Sequence, residues 1–151
     1  MKYITLSTIQ EILHRVEIND TGIFSKEPEL IVLLNDSVST IIKDNYVCIS
    51  EFILAKVQGK IGNNNGHPEI TKQIFHDIPT TLNYPSFIYI DERYSERMKY
   101  LFIGTFPLHQ VVIEVRRFES GVTEINSIIP LGNRTLKQLG NKFQAVYSTL
   151  Y

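Results

Sequence analysis

The sequence predicts an α+β domain, with N-terminal helices packed on a twisted antiparallel sheet of four or more strands and a C-terminal helix. Three observations lead to this fold class. Apolar residues recur with a helical period in the N-terminal half, alternate with a period of two over residues 87–129, and return to a helical period near the C-terminus. A length of 151 residues with 43% hydrophobic side chains suits one folded domain and argues against a disordered or collagen-like chain.

The first predicted element is an amphipathic helix over residues 8–18. Its apolar residues fall at i, i+3, i+4 and i+7, which places them on one face of a helix. Burial of such a stripe stabilises the fold by about 1.5–3 kcal/mol for each large side chain. We therefore expect the stripe to be buried, namely Ile9, Ile12, Leu13 and Val16.

Residues 28–60 alternate between short apolar runs and capping residues. Residues 30–34 fit a buried strand or a buried helix, residues 38–42 fit a helix, and residues 47–49 fit a short strand. Ser50 precedes Glu51 and is suited to cap a helix over residues 51–60. A polar loop follows over residues 59–66. Pro68 then suits the first turn of a helix over residues 68–78, and Pro79 is expected to end that helix.

Four strands are predicted next, joined by charged or glycine-containing turns. They cover residues 87–90, 99–104, 110–116 and 122–129. Pro130 and Gly132 end the last strand. A final helix is then predicted over residues 133–149, with an apolar stripe of Leu136, Leu139, Phe143, Val146, Tyr147 and Leu150.

Several function classes lack the residues that they require. The longest apolar runs are far shorter than the roughly 18 residues that span a bilayer, and the first residues lack the pattern of a signal peptide, so a cytoplasmic protein without membrane contact is expected. The single cysteine, Cys48, excludes an internal disulfide and a thiolate zinc site. The histidines are not at metal-ligand spacings, and no glycine-rich phosphate loop occurs. We expect no metal and no cofactor.

Two features indicate chemistry on phosphate. His67 lies between a glycine and the proline of a predicted helix start, where an accessible imidazole with a pKa near 6.5 suits acid–base catalysis. Lys56 and Lys60 lie just upstream of it. No acidic residue follows Glu124, whereas the C-terminal end carries Arg134, Lys137 and Lys142. A basic end of this kind suits a partner that carries phosphate groups, although a solvated helix face explains it equally well.

A series of short motifs resembles the barnase, EndoU, colicin and RelE-like (BECR-fold) nuclease domains of phages and mobile elements. In that pattern a strand that ends in serine starts a lysine-bearing helix, a His-Pro motif opens the next helix, and a proline segment enters the sheet. The matching segments are residues 47–50, 55–56, 66–70, 78–79 and 84–88, followed by the strands at 110–115 and 123–129 and by Tyr147. The resemblance implies a BECR-like α+β domain over residues 46–151, with residues 1–45 as a helical segment packed on it.

The resemblance also implies a metal-independent endoribonuclease, of the toxin or phage-effector type, in which the 2′-hydroxyl of RNA attacks the adjacent phosphate. His67 would transfer protons, and Lys56 with Arg116 or Arg117 would neutralise phosphoryl oxygens. A hydroxyl from Ser127 or Thr123 would bind the phosphate, and Tyr147 would orient it or stack on a base. Lys60, Arg117, Thr123 and Arg134 complete the predicted substrate-binding set. The implied partners are RNA, such as tRNA or mRNA, and a cognate inhibitor protein.

A different class of function stays open on the same scaffold. The near-neutral net charge of −1 is unlike the basic character of many small ribonucleases, and it favours a non-enzymatic interaction protein such as an immunity protein, an inhibitor or a phage accessory module. The arginines at 116 and 117 also suit ion pairs with Glu114 and Glu119. Convergence of His67, Arg116 or Arg117, and Ser127 on one cleft would distinguish the enzyme from the interaction protein.

Overall fold

The structure, a computed structural model, describes residues 1–61, 73–92, 98–117 and 121–149. These residues contain five helices and eight strands, which we number in chain order. The helices are α1 (Leu6–Ile18), α2 (Asp36–Ile42), α3 (Glu51–Val57), α4 (Ile74–Asn83) and α5 (Asn133–Lys142). The strands are β1 (Lys2–Tyr3), β2 (Pro28–Leu33), β3 (Tyr46–Ser50), β4 (Phe87–Asp91), β5 (Lys99–Thr105), β6 (Gln110–Arg117), β7 (Thr123–Pro130) and β8 (Gln144–Ser148).

All eight strands form one sheet, in the order β1-β2-β3-β7-β6-β5-β4-β8. The four strands predicted from residues 87–129 are adjacent and antiparallel, as the period of two indicated. The predicted α+β class with four or more strands is therefore confirmed. The sheet as a whole is mixed rather than antiparallel, because β1 pairs with β2 and β3 pairs with β7 in parallel. Residues 1–45 contribute β1 and β2 to this same sheet, and β2 pairs directly with β3.

The two faces of the sheet differ in what covers them. On the helix-packed face, Phe102, Ile113 and Ile125 join the main hydrophobic core with side chains of α1, α2, α3 and α4. On the opposite face, which we call the cleft face, Leu101 and Val112 form a smaller cluster with Leu139 and Phe143 of α5 and its end. Alternation along each strand produces this division, because neighbouring residues point to opposite faces.

The N-terminal helices follow the local signals of the sequence closely. Ile9, Ile12 and Val16 of α1 are buried, and Leu13 packs against the core from a partly buried position. The side chains of Asn35 and Ser50 accept hydrogen bonds from the backbone N–H groups of Val38 and Ile53, so each caps the helix that follows it. Residues 30–34, which fitted a strand or a helix, form most of β2.

The predicted end of a helix at Pro79 is wrong. Helix α4 continues through Pro79 to Asn83, and the part of the predicted helix over residues 68–72 lies outside the described residues. A proline inside a helix costs about 3 kcal/mol or more, because it lacks an N–H group and clashes with the preceding turn. Ile78, Thr81 and Leu82 are completely buried between this helix and the sheet, and their burial offsets that cost.

The predicted long C-terminal helix is also wrong. Helix α5 ends at Lys142, and residues 144–148 form β8, which pairs antiparallel with β4. Tyr147 therefore lies on an edge strand opposite Ile88 rather than on a helix. The strand edge of β4 offers backbone hydrogen bonds to this segment, and such non-local pairing overrides a helical spacing of apolar residues.

Candidate functional site

A cleft lies between the cleft face of β5, β6 and β7 and helix α5. Its volume is about 230 Å³. One end is apolar, and the other end carries charged and hydroxyl groups. The lining residues at the polar end are Lys99, Glu114 and Ser127, and those at the apolar end include Leu101, Val112, Leu139 and Phe143. A concave site with an apolar wall and a few convergent polar groups is typical of a ligand-binding pocket.

Glu114 is the centre of the polar end, because four donors converge on its carboxylate. Asn126 Nδ2 and Arg116 Nε contact Oε1 at 2.8 and 3.2 Å. Lys99 Nζ and Ser127 Oγ contact Oε2 at 3.0 and 3.4 Å. We call these five residues the Glu114 network. A carboxylate has about four lone-pair sites, so this one is saturated and fixes the positions of its donors.

A β-bulge brings two of these donors together. The pairing of β6 with β7 shifts between Glu114 and Val115, which leaves Asn126 as an extra residue on β7. Ser127 stands directly opposite Glu114, and Asn126 reaches the same carboxylate from the bulge. Regular pairing would point consecutive side chains to opposite faces. The bulge therefore allows both of them to bind one carboxylate.

Arg116 keeps part of its hydrogen-bonding capacity. Glu114 is its one polar contact within the described residues, and that contact uses Nε only. The side chain of Arg116 is about 30% exposed. A guanidinium carries five N–H donors, and its two terminal nitrogens form the fork that binds phosphate. The network thus holds two cations around one carboxylate, with the terminal nitrogens of Arg116 at its edge.

Arg117 and Thr123 lie at a different place, near the end of α2. A terminal nitrogen of Arg117 donates to the carbonyl oxygens of Ile42 and Lys43 at 3.0 and 2.8 Å and to Asp44 Oδ2 at 3.0 Å. The hydroxyl of Thr123 donates to the same carboxylate oxygen. These bonds cap the C-terminal end of α2, whose last carbonyls lack partners within the helix. Arg117 and Thr123 therefore serve the fold here and do not join Arg116 and Ser127.

The remaining predicted site residues are separated or undescribed. Lys56 lies on α3, whose apolar residues belong to the core on the helix-packed face, and Lys60 is exposed just after that helix. Tyr147 packs against that same core from β8. Four strand spacings, roughly 19 Å, separate β8 from β7. His67 and the side chain of Arg134 lie outside the described residues.

The structure also groups two histidines that are distant in sequence. His109 Nε2 and His76 Nδ1 contact the two oxygens of Asp77 at 2.7 and 3.2 Å, and the ring of His109 stacks on Phe106. Asp77 is buried at the start of α4, so these contacts join α4 to the turn between β5 and β6. Among the described residues, no three His, Cys, Asp or Glu side chains are grouped so that they could hold a metal ion.

Burial explains the chemistry of Cys48, which sequence analysis considered only as a lone thiol. The side chain is fully buried, and this burial, followed by the nearby Glu124 and Asp44 carboxylates, raises the pKa of its thiol to about 11. A thiol of this kind is protonated at neutral pH and is a poor nucleophile. In the described ranges, no helix is long and apolar enough to cross a membrane.

Sequence reasoning identified Arg116 and Ser127 but missed the residues that organise them. Glu114 was considered only as an ion-pair partner of the arginines, and Lys99 and Asn126 were not considered. Lys99 lies opposite Arg116 in the register of β5 with β6, and alternation places Glu114 and Arg116 on one face. That alternation was a usable signal for Glu114. The bulge that admits Asn126 leaves no comparable signal in the sequence.

Comparisons of the chain with protein-family models, with curated proteins and with solved structures found no match.

Proposed function

We propose that this chain is a metal-independent endoribonuclease that binds RNA at the polar end of the cleft. The observation that carries the proposal is that Arg116 and Ser127 meet on Glu114 at the mouth of an apolar pocket. Both residues were selected from sequence before their positions were known. A guanidinium fork, a hydroxyl and an adjacent ring-sized apolar space are the groups that bind a phosphate together with its base.

The reaction would proceed by attack of the RNA 2′-oxygen on the neighbouring phosphorus. A new bond forms between that oxygen and phosphorus, and the bond from phosphorus to the 5′-oxygen of the next nucleotide breaks. A base takes the proton of the 2′-hydroxyl, and an acid gives a proton to the departing 5′-oxygen. The products are a 2′,3′-cyclic phosphate and a 5′-hydroxyl, so no water or oxidant is consumed in this step.

The described residues suit charge stabilisation better than proton transfer. The terminal nitrogens of Arg116 and the ammonium of Lys99 would stabilise the charge that develops on the non-bridging oxygens, and Ser127 would donate to one of them. Glu114 is already bound by four donors, so it acts as a positioning residue. Proton transfer is assigned to His67 on the basis of the nuclease resemblance.

A specific observation favours a second candidate, the non-enzymatic interaction protein. The charges of both arginines on β6 are paired, Arg116 with Glu114 and Arg117 with Asp44. Binding of RNA at this cleft would have to compete with one of these pairs. In the enzyme proposal, a cognate inhibitor protein would bind over the same cleft.

The test is incubation of the purified chain with total RNA in the presence of EDTA, followed by analysis of the cleaved ends. We expect cuts that leave 2′,3′-cyclic phosphates. Arg116→Ala should lower the cleavage rate by about 10²-fold, and His67→Ala by about 10²–10⁴-fold. Lys2→Gln is the matched control, because it removes one positive charge from an exposed side chain on β1, at the far edge of the sheet.

Two outcomes would contradict the proposal. The first is an absence of cleavage by the wild-type chain on RNA of any origin, which would favour the interaction protein. The second is an equal loss of activity in Arg116→Ala and Lys2→Gln, because general electrostatic attraction rather than a site would then explain the effect.

A further inference from the structure

We propose that the apolar end of the cleft binds a single nucleobase that carries a ring carbonyl, namely guanine or uracil, in preference to adenine or cytosine. This inference rests on the proposed ribonuclease function and names the part of RNA that the pocket selects. It concerns the pocket between the sheet and α5, whereas the proposed function concerns the phosphate at the Glu114 network.

The size and walls of the pocket suit one planar ring. Its volume of about 230 Å³ is below the range of roughly 300–1,000 Å³ that is usual for drug-sized ligands. Leu101 and Val112 form the side on the sheet, and Leu139 and Phe143 form the side on α5. Apolar and aromatic side chains on opposite sides of a slot stabilise an unstacked base, because every base has a flat apolar face.

The polar end of the pocket offers donors rather than acceptors. The ammonium of Lys99 uses one contact on Glu114 and retains further N–H bonds, and Ser127 contributes a hydroxyl. The carboxylate of Glu114 is saturated by its four donors, so it is not free to accept from a base. A base therefore fits best when it presents acceptor atoms to this end.

Guanine and uracil meet this requirement, and adenine and cytosine do not. Guanine presents O6 and N7 on one edge, and uracil presents O4. Adenine and cytosine carry an amino group at the equivalent position, which would bring N–H bonds against the ammonium of Lys99. An unpaired donor facing a cation in a partly desolvated pocket lowers the affinity.

The phosphate of the bound nucleotide would lie at Arg116. Lys99 and Arg116 are direct partners in the register of β5 with β6, and both contact Glu114. The cation that faces the pocket and the cation that faces the phosphate thus stand side by side on one sheet face. This arrangement fits a nucleotide whose base enters the pocket while its phosphate stays at the exposed edge.

The experiment measures binding of the four nucleoside 3′-monophosphates to the full chain, by titration calorimetry and by methyl shifts of Leu101 and Leu139. These ligands cannot be cleaved, so binding is observed apart from catalysis. We expect the guanosine and uridine monophosphates to bind about tenfold more tightly than those of adenosine and cytidine. Lys99→Met should abolish this preference, provided that its circular dichroism spectrum shows a folded chain.

A second variant keeps the proposal testable if Lys99→Met does not fold. Leu139→Trp fills the pocket from α5 without removing any donor of the Glu114 network, and we expect it to weaken binding of the guanosine and uridine nucleotides by about tenfold. Leu108→Trp is the matched control, because Leu108 is 96% exposed in the turn between β5 and β6 and does not line the pocket.

The outcomes separate this inference from the proposed function. Equal affinity for all four nucleotides, or no binding of any, overturns the base pocket even if the chain cleaves RNA. A preference for guanosine and uridine that Leu139→Trp removes supports the base pocket. If such a preference occurs in a chain that never cleaves RNA, the base pocket stands and the ribonuclease proposal fails.

Discussion

The two faces of the sheet divide the work of this molecule between stability and recognition. The helix-packed face buries the main core, which includes completely buried side chains such as Phe102, Ile88 and Leu82. The cleft face has a much smaller apolar cluster and a polar network beside it. Since a large continuous core supplies most of the stability of a domain, the cleft face is free to carry polar groups that stability alone would not favour.

Two adjacent arginines show the same difference at the level of single residues. Arg116 and Arg117 follow each other on β6, so they point to opposite faces of the sheet. Arg117 binds two backbone carbonyls and a carboxylate and closes the end of α2. Arg116 binds one carboxylate through Nε and leaves its terminal nitrogens for a ligand. Position on the sheet, rather than residue type, decides which arginine can serve a site.

The largest expected effect comes from removing the same side chain on each face. Leu82 on α4 is completely buried against the helix-packed face, and Leu139 on α5 is only partly buried at the cleft. Leu82→Ala should lower the free energy of unfolding by about 2–5 kcal/mol, because it leaves a cavity in a dense core. Leu139→Ala should cost about 1 kcal/mol. Urea denaturation followed by circular dichroism measures both, and equal losses would contradict the division between the faces.

An intermediate effect is expected from the paired arginines. Arg117→Ala should lower the free energy of unfolding by about 1–3 kcal/mol, because Asp44 and the carbonyls at the end of α2 lose a charged donor. Arg116→Ala should cost about 1 kcal/mol or less, as is usual for a partly exposed ion pair. Cleavage of RNA per folded molecule should fall in Arg116→Ala and not in Arg117→Ala. The reverse order in either measurement would show that the two roles are exchanged.

The part of the fold that the sequence could predict is the part that local chemistry determines. Asn35 and Ser50 cap helices because their side chains bind N–H groups two or three residues away. The strands over residues 87–129 were predictable because each has a face that the main core buries, which imposes a period of two. Both signals require only neighbouring residues.

The parts that could not be predicted depend on distant partners. Residues 144–148 form a strand because β4 lies beside them, although β4 is more than fifty residues earlier in the chain. Helix α4 continues through Pro79 because the sheet buries Ile78 and Leu82 on either side of that residue. In the candidate site, Lys99 and Asn126 reach Glu114 through strand register and a bulge. These features arise from tertiary pairing and have no local pattern.

The smallest expected effect concerns Glu124 on β7, two residues before the bulge. Burial, with a smaller contribution from the nearby charge of Glu27, raises the pKa of the Glu124 carboxyl above its ordinary value. The folded chain therefore holds this proton more tightly than the unfolded chain does. The free energy of unfolding should fall as the pH rises from the ordinary value of 4.5 through the raised pKa, and this contribution should stay low at neutral pH.

Glu124→Gln removes the buried charge and keeps the shape of the side chain. At pH 7 the variant should be slightly more stable than the wild type, and the difference should disappear below pH 4.5, where the glutamate is protonated in both states. Thermal unfolding at pH 4, 5.5 and 7 measures this difference, with Glu11→Gln on the exposed side of α1 as the control. A variant that is less stable than the wild type at pH 7 would mean that the charge of Glu124 is stabilised on the cleft face, and the polar region there would extend from the Glu114 network to β7's first residues.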